Sequence, residues 1–244
     1  MILGTVELAN KAISARPLLN NWGFVVFFLL FFVYVRIVGR RSKMLFSMGS
    51  ELFHNKERQS IFYDSFGDES INKAVLCLQT VVLFVITLYC YAIEEHIFPL
   101  EFTGRSLAFA GYAAAIALVF VLYKLLAYNF IGCIFYSKTR VKVWNGNFIS
   151  IIALSGLIIF FPVLAMFFVE GAYKICLYFL IFYAILASIF TFYKIYLLFF
   201  QGKGLLLHFI LYLCTQELIP LYLLYRGIDY LFQIVQKDIL WIHT

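Results

Sequence analysis

Charged residues are scarce in this sequence. Asp, Glu, Lys and Arg make up only 13% of its 244 residues, against about a quarter in an ordinary soluble domain. Hydrophobic residues make up 64% and aromatic residues 20%. Several apolar runs exceed the length of about 18 residues at which a run is typical of a transmembrane helix rather than a core helix. The composition therefore predicts an all-α fold, a polytopic helical bundle integral to a membrane.

The sequence also lacks the motifs of metal, nucleotide and nucleophile sites. Its cysteines are scattered singly, and no pair has metal-ligand spacing, so we interpret them as small core residues. They are Cys77, Cys90, Cys133, Cys176 and Cys214. Glu94, Glu95 and His96 are adjacent, but consecutive side chains on one helix or strand do not converge on one ion. We therefore predict no metal, no cofactor and no catalytic residue.

The net charge of +6 is carried by clusters between the apolar runs, where anionic lipid headgroups would meet them. No basic stripe with interleaved aromatics suggests nucleic-acid binding. The candidate headgroup or partner contacts are Arg40, Arg41, Lys43, Lys138, Arg140 and Lys142. The predicted partners are membrane lipids and either another protein or a second copy of the chain, and nucleic acid is excluded.

Six apolar stretches predict six spans within one membrane domain of residues 1–244. These are residues 22–38, 74–93, 106–123, 148–169, 173–198 and 205–225. The polar segment 39–73 predicts a short interfacial helix and a loop. Residues 125–136 predict a continuation of the third span or a re-entrant helix, followed by a basic loop, and residues 226–244 have the apolar spacing of an interfacial amphipathic helix.

The orientation follows from Lys and Arg alone. Most of the 19 Lys and Arg residues fall in the first, third and fifth connections or at the span ends that feed them. This bias predicts that both termini lie outside the cytoplasm. Lys124, Lys194 and Lys203 stand near span ends, and we interpret them as headgroup anchors rather than substrate ligands.

The sixth stretch is the most informative, because it carries Thr215, Gln216, Glu217 and Pro220 past its middle. A carboxylate inside a bilayer is costly, so it normally faces a protein interior or a water-filled cavity. Pro220 has no N–H, and its ring crowds the carbonyl of the residue four positions back. These four residues form the candidate intramembrane polar site, in a last helix that is bent at proline.

The partner of Glu217 is not evident from its own helix. His208 is nine residues away, and at about 100° per residue it faces the opposite side. The partner must come from another helix, from the carbonyl of Gln216 or from water. Glu217 then either responds to protons or ions at a broken helix, as in many carriers, or hydrogen-bonds to a neighbouring helix and holds the bundle together.

Three stretches resemble a known family. They are YKLLAYNFIGCIF, KVWNGNFISIIALSGLIIFFPVLAMFF and LHFILYLCTQELIPLYLLYRGI, which together are similar to the Bacteroidota membrane-protein family of domain of unknown function 4271. In that family a signature of the type LYxCxxEIxPLxxLY closes the last span, and an Asn-rich entry followed by Leu-Pro marks an earlier span. Cys214, Glu217 and Pro220 match the first signature, and Asn145, Asn147 and Pro162 match the second.

The resemblance covers roughly residues 25–227 and departs from the family at two positions. Phe161 precedes Pro162 where the family tends to have Leu, and Gln216 precedes Glu217 where a small or apolar residue is common. The resemblance implies the inner membrane of a Gram-negative Bacteroidota bacterium and implies no activity.

Three hypotheses for the function remain. The first is a non-enzymatic scaffold or subunit of an envelope assembly, because the chain has little polar sequence in which to build a catalytic domain. The second is a small proton- or ion-linked carrier that uses Glu217. The third is a membrane enzyme that acts on a lipid-linked substrate.

Overall fold

The computed structural model describes residues 17–53, 66–95, 103–135, 138–169, 171–199 and 214–240, and within these ranges all regular secondary structure is helical. The helices are α1 (Pro17–Phe53), α2 (Phe66–Glu94), α3 (Thr103–Phe135), α4 (Lys138–Phe168), α5 (Tyr173–Phe199) and α6 (Ile219–Leu240), and a π-helical turn, Cys214–Leu218, leads directly into α6. The predicted all-α helical bundle is confirmed.

Four of these helices contain segments that are long and apolar enough to cross a membrane. The segments are Ile71–Glu94, Ala108–Phe130, Arg140–Phe168 and Tyr173–Leu197. The apolar part of α1, Gly23–Gly39, is shorter than these. Residues 205–213 of the sixth predicted span lie outside the described residues, so the first and sixth spans remain predictions.

Two predicted irregular segments are helical. Helix α3 continues without a break to Phe135, through residues predicted either to continue the helix or to re-enter the membrane. Helix α4 begins at Lys138, so the prediction of a basic loop there is wrong. The physical reason is that Val141, Trp144 and Phe148 recur at helical spacing and are all buried, which gives the basic segment an apolar face to pack against the bundle.

Helix α4 is the centre of the bundle. It contacts α1, α2, α3 and α5, and its contact with α2 is the most extensive. Helix α3 in turn packs between α2 and α6, where Phe109 and Ala113 of α3 and Leu231 of α6 share one buried cluster. Small residues such as Ala113 let helix backbones approach closely in lipid. This arrangement brings α3, α4 and the start of the last helix together.

Aromatic side chains join α1 to α4. The Phe160 ring is fully buried, and its centroid lies 6.3 Å from that of Phe27 and 5.3 Å from that of Tyr34. The Phe31 ring stacks on it at 6.4 Å. Ring pairs at these separations add to the dispersion contacts of the interface. Since lipid tails are as apolar as these side chains, the close packing itself is what favours the α1–α4 contact.

The α2–α4 crossing is close because α4 carries a glycine there. The Thr80 hydroxyl lies 2.9 Å from the carbonyl oxygen of Leu76 on its own helix and 2.9 Å from that of Ile152 on α4. A Cβ at Gly156 would lie only 2.3 Å from Thr80 Oγ1 and 3.3 Å from the Leu76 carbonyl oxygen. The second of these is backbone, which cannot move aside as a side chain can.

We predict that Gly156→Ala lowers the free energy of unfolding by about 1–3 kcal/mol, the usual cost of overpacking a tight contact. The matched control is Gly146→Ala on the same helix, where an added Cβ would meet nothing within 4 Å. Because Ala favours helix by up to about 1 kcal/mol over Gly, the control should be neutral or stabilising. The free energies of unfolding of both variants are measured in denaturing detergent by tryptophan fluorescence. Equal effects of the two substitutions would contradict the close crossing of α2 and α4.

Candidate functional site

A π-helical turn precedes the proline of the last helix. Residues Cys214–Leu218 form this turn, and Pro220 follows within the first turn of α6, with its side chain fully buried. Proline cannot donate the backbone hydrogen bond that a regular helix requires at this position. The wider turn accommodates the missing bond, and such single-turn π segments occur often at functional sites. Gln216 and Glu217 therefore project from an irregular turn.

Both carboxylate oxygens of Glu217 accept hydrogen bonds from α3. Lys124 donates from Nζ to Oε2, which also makes an ion pair, and the Tyr128 hydroxyl donates to Oε1. The Lys124 Nζ atom also lies 3.4 Å from the Tyr128 hydroxyl oxygen. The exposed fractions are 4% for Lys124, 2% for Tyr128 and 2% for Glu217. The three side chains form a closed polar triad inside the bundle.

Aromatic rings surround this triad. The Tyr128 ring contacts Trp144 and Phe148 of α4 edge to face, with centroids 5.4 Å and 5.3 Å away. The Lys124 Nζ atom lies 5.7 Å from the Phe120 centroid and 6.0 Å from the Phe148 centroid. Rings at this range attract a cation and keep water away from it. Hydrogen bonds and charge pairs are stronger in such surroundings than in water.

The geometry of the triad follows from helix periodicity. Phe120, Lys124 and Tyr128 are spaced four residues apart on α3 and therefore lie on one face. Trp144 and Phe148 have the same spacing on α4, and Ile195 of α5 completes the buried cluster with them and Tyr128. Four elements thus meet at this point: α3, α4, α5 and the π turn. The carboxylate charge of Glu217 is balanced by the ammonium of Lys124, so the site as built is neutral overall.

The predicted polar residues have different surroundings. Gln216 is buried, 6% exposed, and its Oε1 atom has no hydrogen-bond partner among the described residues. Thr215 is exposed, as are Arg140 and Lys142. The side chains of Arg40, Arg41, Lys43 and Lys138, and all of Lys203 and His208, lie outside the described residues. The predicted roles of these residues as headgroup or partner contacts therefore remain predictions.

Two lysines predicted as headgroup anchors are buried. Lys124 pairs with Glu217, and Lys194 is 4% exposed and adjacent to Ile195 of the site cluster. The anchor interpretation is wrong for both, because an anchor must extend its ammonium to the membrane surface. Lys124 and Tyr128 are the partners of Glu217 that sequence reasoning missed. For Lys124 the signal available was that apolar sequence continues beyond it, which places its charge inside a helix.

A groove of about 450 Å³ lies beside the triad. It is lined by Tyr123, Leu126, Ala127 and Phe130 of α3 and by Gln216 of the π turn. The four α3 residues follow helical spacing along one face of that helix. Leu126 and Phe130 are largely exposed, so the groove opens towards the outside of the bundle. Among its described lining residues, Gln216 alone has a side-chain amide.

No group of three or more His, Cys, Asp or Glu side chains that could hold a metal ion occurs within the described ranges. Glu94 and Glu95 of the predicted acidic cluster are exposed, and His96 lies outside those ranges. Cys77, Cys90 and Cys176, the cysteines whose side chains are described, form no disulfide with one another and lie in buried or partly buried positions. The chemistry that the triad itself offers is ion pairing, hydrogen bonding and proton exchange.

Tyr128→Phe isolates the hydroxyl of the triad. The substitution keeps the ring contacts with Trp144 and Phe148 and removes one of the donors to Glu217. We predict a loss of about 1 kcal/mol in the free energy of unfolding, the order measured for hydrogen bonds between membrane helices. Tyr222→Phe is the control, because Tyr222 is 60% exposed, and detergent unfolding compares the two. A Tyr128 variant as stable as wild type would contradict the closed triad.

Comparison with known proteins gives one result. A family model described as "Domain of unknown function (DUF4271)" matches residues 23–228. The match includes Lys124, Tyr128 and Glu217 and hence the whole triad. No curated protein and no solved structure matches the chain.

Proposed function

The chain belongs to the family of domain of unknown function DUF4271, and from this starting point we propose that it is a non-enzymatic structural subunit of an envelope assembly in the bacterial inner membrane. The observation that carries the proposal is the engagement of both Glu217 oxygens by Lys124 and Tyr128. The carboxylate best placed for chemistry joins two helices. A polar group used in this way gives a membrane bundle a fixed arrangement of helices.

The proposed subunit meets its partner through one face of α5. Only 6% of the apolar window of α5 is buried, against 22–33% for the other three candidate spans. Membrane helices associate through packing; α5 packs against α4 along one side, and most of its remaining surface is exposed. Its most exposed stripe consists of Tyr178, Phe182, Ile185 and Ile189, which we call the α5 face. Residues at this spacing form one continuous side of the helix.

The proposed orientation places both termini on the periplasmic side. Lys124 and Lys194 are buried and therefore no longer count among the basic residues that set the orientation. The remaining Lys and Arg residues are still more numerous in the first, third and fifth connections, which places these connections in the cytoplasm. A C-terminal alkaline phosphatase fusion tests this directly. The enzyme is active only outside the cytoplasm, so an active fusion supports the orientation and an inactive, well-expressed fusion overturns it.

The subunit proposal is tested by extracting the tagged protein from its native membrane into lipid nanodiscs and weighing the intact assemblies by native mass spectrometry. We expect a stoichiometric second protein or a second copy of the chain. The variant Phe182→Ala with Ile185→Ala on the α5 face should reduce this association at least about tenfold, the effect of about 1.4 kcal/mol.

The matched control is Phe28→Ala with Phe32→Ala, two residues of α1 that are each 60% exposed. It removes similar apolar surface from another helix, so it should leave the association unchanged. Isolation of the wild-type protein alone, at native abundance and in several extractions, would contradict the proposal. Loss of the partner in both double variants would place the contact elsewhere than on the α5 face.

A second candidate is a proton- or ion-linked carrier. One observation favours it: Lys124 and Glu217 meet at a π turn next to Pro220 and beside an open groove, and helix breaks of this kind build many carrier sites. Proteoliposomes loaded with a pH-sensitive dye test it after an external acid step. A carrier acidifies the interior faster than liposomes holding the uncharged variant Lys124→Met with Glu217→Leu, whereas equal rates reject proton movement through the triad.

A further inference from the structure

The outer face of α6 is polar, whereas the outer faces of α1, α3 and α5 expose mainly Phe, Leu, Ile and Val side chains. Arg226 and Asp229 form an ion pair on α6, and their side chains are 61% and 40% exposed. Gln233 is exposed as well and donates a hydrogen bond of 3.0 Å from Nε2 to Asp229 Oδ2. The three residues follow helical spacing and lie on one side of the helix, which we call the α6 polar face.

Helix α6 runs antiparallel to α3. Glu217, just before α6, pairs with Lys124, and about four turns later the Phe232 ring stacks on that of Phe109, with centroids 6.0 Å apart. The contacts thus move from the C-terminal half to the N-terminal half of α3 as α6 advances. Residues 219–232 of α6 therefore lie at the same membrane depths as the apolar part of α3.

The α6 polar face is deep in the hydrocarbon core by this comparison. A Cβ added at Gly227 would lie 3.6 Å from the Cγ2 atom of Ile116. Ile116 stands in the middle of residues 106–123 of α3, none of which is charged. Arg226 adjoins Gly227, and Asp229 is less than one turn further along the helix, so both charges lie well inside the membrane.

Helix α2 gives the same depth independently. It carries no charged residue between Lys73 and Glu94, a length of about 32 Å that matches the hydrocarbon core of about 30 Å. The Phe232 ring lies 5.7 Å from that of Tyr91, which is one turn inside Glu94. Arg226 precedes Phe232 by six residues, or about 9 Å, and therefore lies near the midplane.

A charged pair at this depth requires a covering molecule, because charges that face lipid are costly. The Arg226 Nη1 atom is 3.7 Å from Asp229 Oδ2, which is longer than a hydrogen bond. The pair cancels its own net charge, but a guanidinium has five N–H donors and hydrocarbon holds no water to accept from them. The molecule that covers the face must therefore bring acceptors to Arg226.

A second copy of the chain brings these acceptors at the right depth. Copies inserted in one orientation are related by a two-fold axis along the membrane normal, which sets two α6 polar faces side by side. Each Arg226 then reaches the Asp229 of the other copy as well as its own, since the two positions differ in depth by only about 4.5 Å. The four charges sum to zero, whereas a partner with charge of one sign would leave an excess.

Tyrosines flank the pair on the same side of the helix. Tyr222 and Tyr230 lie one turn before and one turn after Arg226 and are 60% and 65% exposed. Tyr and Arg are enriched at the centres of protein interfaces, and a guanidinium is attracted to the face of a tyrosine ring. The α6 polar face therefore has the composition of an interface centre.

We propose that the α6 polar face is the dimer interface of this chain, in which Arg226 of each copy pairs with Asp229 of the other. The interface is separate from the α5 face and does not rest on the subunit proposal. The variant Phe182→Ala with Ile185→Ala should therefore leave two copies together even where it releases a different protein from the α5 face.

The test co-expresses two differently tagged copies of the full chain and measures the fraction that co-purifies in mild detergent. Arg226→Asp makes the face acidic and Asp229→Arg makes it basic. Each variant alone should self-associate at least about tenfold more weakly than wild type, because like charges meet at the axis. One copy of each variant should associate as wild type does, because every acidic residue then faces a basic one. Undiminished self-association of either variant, or failure of the two to associate, would overturn the proposal.

Oxidative cross-linking tests the interface with both charges in place and so does not depend on the folding of the charge variants. Two copies of Tyr222→Cys meet at equal depth near the axis, so a lipid-soluble oxidant should join them. Phe28→Cys on α1 is the matched control, because Phe28 is also 60% exposed, and the unaltered chain with its five cysteines gives the background. Covalent dimer in excess of both supports the interface, and an amount equal to either counts against it.

Native mass spectrometry in nanodiscs identifies any other occupant. The wild-type assembly should contain two copies of the 28.3 kDa chain. A single copy that holds a different protein, and loses it in the Arg226→Asp variant, would assign the face to that protein and overturn the dimer. A single copy that holds only lipid would overturn it as well.

Discussion

Lys124→Met is expected to lower the free energy of unfolding by about 3–5 kcal/mol, the cost of leaving one charge of a buried pair without its partner. Glu217→Leu should cost a similar amount, because it leaves the Lys124 ammonium alone among aromatic rings. The double variant Lys124→Met with Glu217→Leu should be far less harmful than either single change. Uncharged residues of similar volume often replace a buried ion pair at little or no cost.

The three tryptophans of the chain allow unfolding to be followed by fluorescence as the concentration of denaturing detergent is increased. The Trp144 ring packs against Tyr128, so its fluorescence reports directly on the triad. The chain supplies its own control in the pair Arg226 and Asp229. Their charged atoms are 3.7 Å apart, and their side chains are 61% and 40% exposed. Arg226→Met should cost less than about 1 kcal/mol, as exposed ion pairs generally do.

The non-additive result is the decisive one. If the double change costs the sum of the two single changes, the two charges are not coupled and the triad does not join α3 to the last helix. If the double variant is stable and still binds its partner, the structural role of Glu217 is supported. A double variant that is stable and folded and still binds its partner but has lost proton movement in liposomes favours the carrier.

The fold could be predicted from composition and run length, and the site could be predicted only in part. An apolar run long enough to cross a bilayer is a signal contained within one helix, and so is the break at Pro220, since a missing N–H acts on its own neighbours. The partner of Glu217, in contrast, cannot be identified from local sequence. Lys124 is far from Glu217 in sequence, and only the packing of α3 against the last helix brings the two together.

The errors have a common physical origin. The rule that a predicted span ends at the first charged residue places Lys124 at the edge of a span. The same rule predicts a loop for the basic residues at the start of α4. A helix, however, satisfies its own backbone hydrogen bonds and continues as long as one face can pack. Val141 and Trp144 provide that face in α4, and Phe120 and Tyr128 provide it on either side of Lys124. A carboxylate inside a membrane almost always has a partner, so Glu217 calls for a donor from another helix. Both Lys124 and Lys194 are buried, however, and the pairing rule does not choose between them.

Phe160→Ala is the second substitution with a large expected effect. Phe160 is fully buried between α4 and α1, whereas its neighbour Phe161 is 54% exposed. In a membrane the exposed ring exchanges protein contacts for lipid contacts of similar strength, so Phe161→Ala should change the free energy of unfolding by less than about 1 kcal/mol. The buried ring leaves a cavity that neither lipid nor water fills, and its removal should cost about 3 kcal/mol or more.

The same pair of substitutions also tests whether α1 belongs to the bundle. The contacts of Phe160 with Phe27, Phe31 and Tyr34 are three of the six described ring pairs between α1 and α4, so their loss should loosen α1 before the rest unfolds. A cysteine introduced at Ile37 of α1, which is 4% exposed, should then react faster with a water-soluble maleimide in the Phe160→Ala background than in the Phe161→Ala background. Equal labelling rates together with equal stabilities would show that α1 is held by something other than this ring. A destabilised Phe160 variant with unchanged labelling would show instead that α1 and α4 unfold as one unit.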